Sequence, residues 1–165
     1  MFGKLLPIGG AYLDIMSSWR SHLPKGIHPT RVVGLGMNSE EMANNPQLDS
    51  YIVHDLNQHP SLPFNEADFD AVICTVSIQY LIKPVEVFCE VNRVLKPSGV
   101  FIVSFSNRYF SSKVIAAWMA ITDKQRVQLI SYYFRALGNW TQQKVQSYIP
   151  EDSDPLYVIW AHKLK

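Results

Sequence analysis

The chain has 165 residues, of which 47% are hydrophobic, which is enough apolar material for one compact core and too little for two. Its formal net charge is +1, from 15 basic and 14 acidic residues. This balance gives no electrostatic basis for binding nucleic acid or an anionic membrane, and no apolar run approaches the roughly 20 residues of a membrane helix. We therefore expect a small-molecule partner.

Domain organisation and compartment follow from the same counts. We expect one domain over residues 1–165, with an N-terminal segment that is short or missing because the first predicted strand begins at Ala11. The two cysteines, Cys74 and Cys89, fall in a buried strand and a helix, and we predict that they are free thiols. The protein is predicted to be soluble and intracellular, in the cytoplasm or an organelle. Its oligomeric state is left open.

The first third of the chain alternates short extended runs with breakers. Strands are predicted at Ala11–Ile15, at residues 31–35 and at residues 51–54. Residues 16–30 contain Pro24, Gly26 and Pro29, which predicts a loop with a helical stub of about two turns. A brief helix is predicted from Asn38 or Ser39 through Asn44.

The stretch from residue 62 to residue 106 gives the clearest pattern. An apolar strand at Phe69–Thr75 is followed by a helix that opens at Lys83-Pro84 and stops at residues 96–99, and a second apolar run covers residues 100–105. This is a βαβ unit with parallel strands. A ligand is expected beyond the carboxyl ends of the strands, around residues 75–80 and 104–107.

The last third predicts helices and a hairpin. One helix is expected to begin at Ser111 or Ser112, a second is capped by Asp123 and closed by Gly138, and two extended runs cover residues 141–149 and 156–161. The aromatic residues of the helical region are interpreted as core. The fold class is therefore α/β: a Rossmann-like, open, mostly parallel sheet of about seven strands, with a C-terminal antiparallel hairpin, one reversed strand at an edge and helices on both faces.

The motifs within residues 62–106 resemble those of a known protein family. LPF followed by FDAV, a loop ending in IQYL, and a helix ending in EVNRVLKPSG together resemble the class I methyltransferases that use S-adenosylmethionine, particularly the type 11 branch. The resemblance implies a seven-stranded sheet whose last strand is inserted antiparallel. It also implies transfer of a methyl group from S-adenosylmethionine to a small-molecule acceptor.

The resemblance implies a cofactor site residue by residue. Asp14 matches the acid of the family's D-x-G-x-G-x-G loop near the methionine moiety, and Asp55 with Leu56 matches the pair that flanks the adenine. Residues 75–77 match the segment beneath the cofactor. The full expected set is Asp14, Met16, Ser17, Met37, Asn38, Asp55, Leu56, Thr75 and Ser77. Catalytic residues are not assigned, and no metal site is expected because the histidines and cysteines lack the spacing of metal ligands.

The chain departs from the family pattern at two places. The loop glycines align with Met16, Ser18 and Arg20, and the acid that should hold both ribose hydroxyls aligns with Gly36. Losing a charged acceptor typically costs about tenfold to a hundredfold in affinity, which Asn38 could partly restore. The alternative function is a non-catalytic methyltransferase-like binding module with a degraded cofactor site.

Several residues carry competing interpretations. Residues 34–39 imitate a dinucleotide-binding fingerprint, but the helix that follows is too short for a crossover, so a tight turn is favoured. His22 could act as a general base, whereas the favoured interpretation has Trp19 filling the hollow and His22 capping a helix end. Tyr80 either faces the acceptor or packs under the following helix.

Overall fold

Residues 2–165 are described by a computed structural model. The strands are β1 Ala11–Ile15, β2 Arg31–Gly36, β3 Ser50–Val53, β4 Phe69–Thr75, β5 Leu95–Ser106, β6 Lys144–Tyr148 and β7 Leu156–His162, and the helices are α1 Ser39–Ala43, α2 Pro84–Val94, α3 Ala116–Met119 and α4 Asp123–Arg135. Single 3-10 turns lie at Phe2–Lys4 and Ile78–Tyr80. Within these residues no helix is long and apolar enough to cross a membrane.

The strands form one mixed sheet in the order β3-β2-β1-β4-β5-β7-β6. β1 to β5 pair in parallel, and β7 pairs antiparallel with both β5 and β6. The predicted fold class is therefore confirmed. One detail of the residue-based prediction is wrong: the reversed strand β7 lies between β5 and β6, so that β6, not β7, is the edge strand.

Alternating side chains divide the core between the two faces of the sheet. Phe101 on β5 points to the larger apolar cluster, where the Phe88 ring on α2 lies 4.9 Å from it and 4.9 Å from Phe134 on α4. The other face, which includes Tyr12 and Ile73, is covered by irregular chain at Leu6, Leu23 and Ile27. The sheet is therefore buried on both faces. The carboxyl ends of its parallel strands β1, β2 and β4 lie together at one end of the sheet.

The Glu-x-x-Arg part of the recognised motif has a structural role. On α2, Arg93 donates to Glu90 at 2.8 Å and also to the carbonyl oxygens of Leu62 and Phe64, both at 2.9 Å. Glu90 in turn accepts from the Leu62 amide at 2.8 Å, and its pKa is held below the usual value chiefly by the Arg93 guanidinium. These hydrogen bonds therefore hold the loop before β4 against α2, the helix that follows β4.

The predicted helical stub within residues 16–30 is wrong. The segment contains no helix, and two of its carbonyl groups accept from side chains of the α1–β3 connection. Asn45 Nδ2 donates to the Ser18 carbonyl at 2.8 Å, and Gln47 Nε2 donates to the Leu23 carbonyl at 2.9 Å. This irregular path determines the shape of the site described below.

The helix expected from Ser111 or Ser112 is also misplaced, since α3 begins at Ala116. Residues 110–114 form a turn in which Phe110 accepts from the amides of Lys113 and Val114. The amide of Ile115 then donates to the Gln79 carbonyl at 3.1 Å, which draws the chain away from a helical path and toward the loop after β4. Asp123 was expected to cap the next helix, but it is the first residue of α4 and Thr122 is the cap, since the Thr122 hydroxyl accepts from the Gln125 amide.

Candidate functional site

The carboxyl ends of the parallel strands open into a cleft of about 660 Å³. Eight of the nine expected cofactor residues line it: Met16, Ser17, Met37, Asn38, Asp55, Leu56, Thr75 and Ser77. The ninth, Asp14, lines a smaller pocket of about 310 Å³ that borders the cleft at Met16, Ser17, Ser18 and Thr75. The two acids of the expected cofactor set, Asp14 and Asp55, thus lie in adjoining spaces.

Asp14 is an internal anchor of the loop after β1. Its side chain is 2% exposed, and its Oδ2 accepts a hydrogen bond of 2.6 Å from the Ser17 hydroxyl. Burial raises its pKa from 3.8 to about 6, while hydrogen bonds from Ser17 and Ser21 lower it in part. The carboxyl group therefore holds the turn at Met16 and Ser17 in place.

That turn accounts for the glycine at position 36. Met16 takes a left-handed conformation with φ of 56°, and the Ser17 amide then donates to the Leu35 carbonyl at 2.9 Å. The Ser17 main chain consequently crosses the end of β2, where a Cβ on Gly36 would collide with the Ser17 carbonyl oxygen. Only glycine fits at position 36 beside this loop, so no acid can stand there.

A carboxylate reaches the same part of the cleft from α1. Glu41, at the third position of the helix, is half-buried and lines the cleft. Its Oε1 accepts from Asn38 Nδ2 at 2.8 Å and its Oε2 from the Ser18 hydroxyl at 2.5 Å. The Asn38 amide oxygen is itself engaged, because it caps α1 by accepting from the amides of Glu40 and Glu41.

Sequence reasoning missed Glu41. A glutamate in the first turn of a short helix is usually interpreted as a solvated residue that favours the helix dipole. The available signal was its spacing from Asn38, since a capping residue followed three positions later by glutamate brings the two side chains together.

The second carboxylate follows β3. Asp55 is half-buried, and its Oδ1 accepts from the Asn57 amide at 2.9 Å. Asn57 connects this loop to the loop after β4: its Nδ2 donates to the Tyr80 carbonyl at 3.0 Å, and its Oδ1 accepts from the Ile82 amide at 2.9 Å. Asp55 and the neighbouring Leu56 are therefore held at a fixed distance from the end of β4.

The end of β4 forms the floor of the cleft. Val76 takes a left-handed conformation with φ of 51°, a genuine outlier for a β-branched residue, and its amide donates to the Ser104 carbonyl at 2.9 Å. The hydroxyl of Thr75, which lines both spaces, is buried without a hydrogen-bond partner. Backbone strain and an unpaired buried hydroxyl together make this edge a candidate binding site.

The rim of the cleft is aromatic. Tyr80 and Phe110 both line it, and the Tyr80 hydroxyl accepts from the Phe110 amide at 3.0 Å, which favours the cleft-facing interpretation of Tyr80. Trp19 does not fill the hollow, because it is 51% exposed and the cleft stays open. His22 has no helix end to cap, since its segment is irregular, and it lines the smaller pocket.

The described part of the chain contains no candidate metal site. Residues 2–165 contain no group of three or more histidine, cysteine or acidic side chains placed to hold an ion. Of the histidines, His54 lines the cleft and its Nε2 lies 2.7 Å from the His59 carbonyl oxygen.

Comparison with known proteins identifies the family. The sequence profile described as "Methyltransferase domain" matches residues 21–103, half of the chain. The chain belongs to this methyltransferase family. The resemblance predicted from the motifs of residues 62–106 is thereby confirmed.

Among curated proteins, malonyl-[acyl-carrier protein] O-methyltransferase from Marinomonas sp. is 29% identical to this methyltransferase domain over 66 residues. Those residues are 40% of this chain and only 24% of the Marinomonas protein, so the match spans about a quarter of that relative's length.

Solved structures share the fold over nearly the whole methyltransferase domain. A methyltransferase dependent on S-adenosylmethionine from Mesorhizobium loti has a TM-score of 0.66 at 15% identity, covering 97% of this chain and 94% of that one. A corresponding enzyme from Aquifex aeolicus has a TM-score of 0.67 at 15% identity, covering 96% and 85%. The [4+2]-cyclase SpnF has a TM-score of 0.69 at 15% identity, covering 97% and 77%, so activity has to be argued from the site itself.

Proposed function

We propose that this domain transfers a methyl group from S-adenosylmethionine to a small-molecule acceptor. The observation that carries the proposal is the pair of carboxylates, Glu41 and Asp55, on the wall of one open cleft at the carboxyl ends of parallel strands. A nucleoside offers an exocyclic amine and ribose hydroxyls as donors, and these two acids offer the matching acceptors.

The residues of the cleft fit such a cofactor. Asp55 would accept from the adenine amine, while Leu56 and Met37 supply apolar surface for the ring. The cleft volume of about 660 Å³ lies within the roughly 300–1,000 Å³ of pockets that enclose drug-sized ligands. The unpaired Thr75 hydroxyl offers a further hydrogen bond to a ligand that lies over the end of β4.

Glu41 would take the role of the acid missing at position 36. Its two oxygens are oriented before any ligand arrives, by Asn38 and by Ser18. Each carboxylate oxygen has further lone pairs for a ribose hydroxyl. Ser18 belongs to the same loop whose path requires glycine at position 36. This loop therefore excludes an acid at position 36 and also helps to orient Glu41.

The protein's contribution to the reaction is positioning. When bound, S-adenosylmethionine supplies a methyl group on a sulfonium, whose C–S bonding electrons remain on sulfur as the acceptor's lone pair forms the new bond to carbon. Glu41 and Asp55 would hold the cofactor at the end of β4 and restrict its motion, which favours in-line attack by an acceptor. A proton released by a hydroxyl or amine acceptor leaves to solvent, and no residue of the chain is assigned as its base.

The non-catalytic alternative predicts a loop whose side chains fill the pocket. The open cleft and the half-exposed Trp19 do not favour it.

The proposal is tested by isothermal titration calorimetry with S-adenosylhomocysteine, together with thermal shift. We expect saturable binding by the wild type and a loss of about tenfold to a hundredfold in affinity for Asp55→Ala, as expected for the removal of a charged acceptor. Asp152→Ala, which removes an exposed carboxylate from the β6–β7 loop, is the control and should bind as the wild type does. Absence of heat and of any thermal shift at millimolar ligand would reject the proposal.

A further inference from the structure

Strand β6 is an open edge of the sheet. It is the last strand in the order of the sheet and pairs antiparallel with β7 on one side only. All five of its residues, Lys144–Tyr148, are exposed. An edge strand presents a row of backbone N–H and C=O groups that can pair with a further strand.

The side chains along this edge favour pairing. Val145, Tyr148 and Ile149, the residue after the strand, are 47%, 61% and 68% exposed. Proteins commonly protect a free edge strand with charges or proline within it. Here the one charge, Lys144, stands at the first position, and Pro150 lies beyond the last, so the middle of the strand carries neither kind of protection.

The two ends of this edge carry opposite charge. Lys144 begins the strand, and Glu151 and Asp152 lie exposed in the loop that follows it. None of these three residues takes part in a salt bridge among residues 2–165. The remaining acid of the loop, Asp154, is already paired with Arg108 at 2.6 Å. A strand with one basic and one acidic end is complementary to an antiparallel copy of itself.

The opposite edge of the sheet lacks this polarity. Strand β3 has only four residues, Ser50–Val53, and acids flank it on both sides, at Asp49 and Asp55. An antiparallel pair of β3 strands would bring acid toward acid, which is destabilising. Charge complementarity therefore selects β6 as the edge that fits a second copy of this chain.

We propose that β6 pairs antiparallel with β6 of a second copy across a two-fold axis, which joins the two sheets into one. With Ser147 on the axis, Val145 faces Ile149 of the second copy. Lys144 of each copy then lies beside the acidic loop, Glu151 and Asp152, of the other. Such an interface is isologous, so every contact occurs twice.

This dimer would leave the candidate site open. The cleft lies at the ends of β1 to β4, and β5 and β7 stand between those strands and β6. The inference is therefore independent of the proposed methyl transfer. Because one short strand buries less surface than a standard interface of about 1,600 Å², we expect a dissociation constant in the micromolar range.

Sedimentation equilibrium from micromolar to millimolar protein measures the dimer, and charge reversal identifies its interface. Lys144→Glu should weaken dimerisation by about tenfold, and so should Glu151→Lys combined with Asp152→Lys, since each reversed contact occurs twice. All three substitutions together restore opposite charges and should return the constant to within about threefold of the wild type. Lys25→Glu, at an exposed position of the β1–β2 loop, is the matched control and should dimerise as the wild type does.

The reversed positions are all exposed, so these variants should fold as the wild type does. The inference is overturned if the wild type stays monomeric up to millimolar concentration, or if the charge reversals leave the dimer unchanged. It is also overturned if the combined variant is no better than the single reversals. Hydrogen exchange provides a second measurement, since amides of β6 should become protected as the dimer forms. Protection that appears at β3 instead would place the interface at the wrong edge and overturn the inference.

Discussion

Ser17 and Gly36 are in main-chain contact at the point where β1 and β2 end. The Ser17 carbonyl oxygen occupies the place where any Cβ at position 36 would be, and the neighbouring Ser17 amide donates to Leu35. The path of this loop therefore excludes an acid at position 36. A site of this kind needs its acidic group from elsewhere, and Glu41 lines the same part of the cleft.

Restoring the acid of the family pattern should damage the protein. We expect Gly36→Asp to lower the free energy of unfolding by about 1–3 kcal/mol, because overpacking forces the Ser17 main chain to move. It should not improve cofactor binding. Ser39→Asp, which adds the same charge at an exposed position, is the control, and urea denaturation measures both. A Gly36→Asp protein as stable as the wild type would contradict the contact.

The buried Asp14 predicts a pH dependence of stability. Its pKa is raised from 3.8 to about 6, so the folded state favours the protonated form. The resulting stabilisation is fully present below about pH 4 and is lost as the pH rises through about 6, a change of about 3 kcal/mol.

Asp14→Asn cannot ionise, so its stability relative to the wild type should increase between about pH 4 and pH 7.5. Chemical denaturation at several pH values measures this difference, in which the titrations of the other carboxylates largely cancel. A difference that does not change with pH would show that Asp14 is not buried in the manner described.

The sequence was most informative where burial alone decides the structure. β4 begins and ends at the predicted residues, Phe69 and Thr75, because a strand covered on both faces is mostly apolar, with its one charge, Asp70, at the entry. The helix that begins at Pro84 was predicted equally well, because proline is favoured in the first turn of a helix. Both belong to the unit that carries the family motif.

The loops that shape the site could not be predicted in the same way. Residues 16–30 have their path fixed by partners distant in sequence, namely Leu35, Asn45 and Gln47, which no local pattern reveals. The orientation of Glu41 depends on that path, because the loop brings the Ser18 hydroxyl within hydrogen-bond distance of the Glu41 carboxylate. The eight expected residues that line the cleft were placed by family resemblance rather than by local pattern.

Arg126 connects α4 to the segment that carries the rim of the cleft. It is 6% exposed, donates to the Trp118 carbonyl at 3.0 Å and to Asp123 at 2.7 Å, and lies over the rings of Trp118 and Tyr109. We expect Arg126→Ala to lower the free energy of unfolding by about 3 kcal/mol, because it removes the cation that faces Asp123 and leaves the buried Trp118 carbonyl without its donors. The exposed Arg135→Ala on the same helix should change it by less than about 0.5 kcal/mol. Similar losses in the two variants would contradict this role.

The two cysteines should differ in reactivity. Cys74 is fully buried in β4, and burial raises the pKa of its thiol to about 12, whereas Cys89 is exposed on α2. Because the thiolate is the reactive species, a thiol reagent should modify one cysteine per native chain and two after denaturation. Cys89→Ser should reduce the native count to zero. Rapid modification of native Cys89→Ser would mean that β4 is accessible.

The central claim is that Glu41 replaces the missing acid in a cleft that binds the cofactor. It is tested most directly by the dissociation constant of S-adenosylhomocysteine for Glu41→Gln and for Glu40→Gln, its exposed neighbour outside the cleft. We predict that Glu41→Gln raises the constant about tenfold to a hundredfold while Glu40→Gln leaves it within about twofold of the wild type. Equal constants for the two variants, or no binding by the wild type, would contradict the claim.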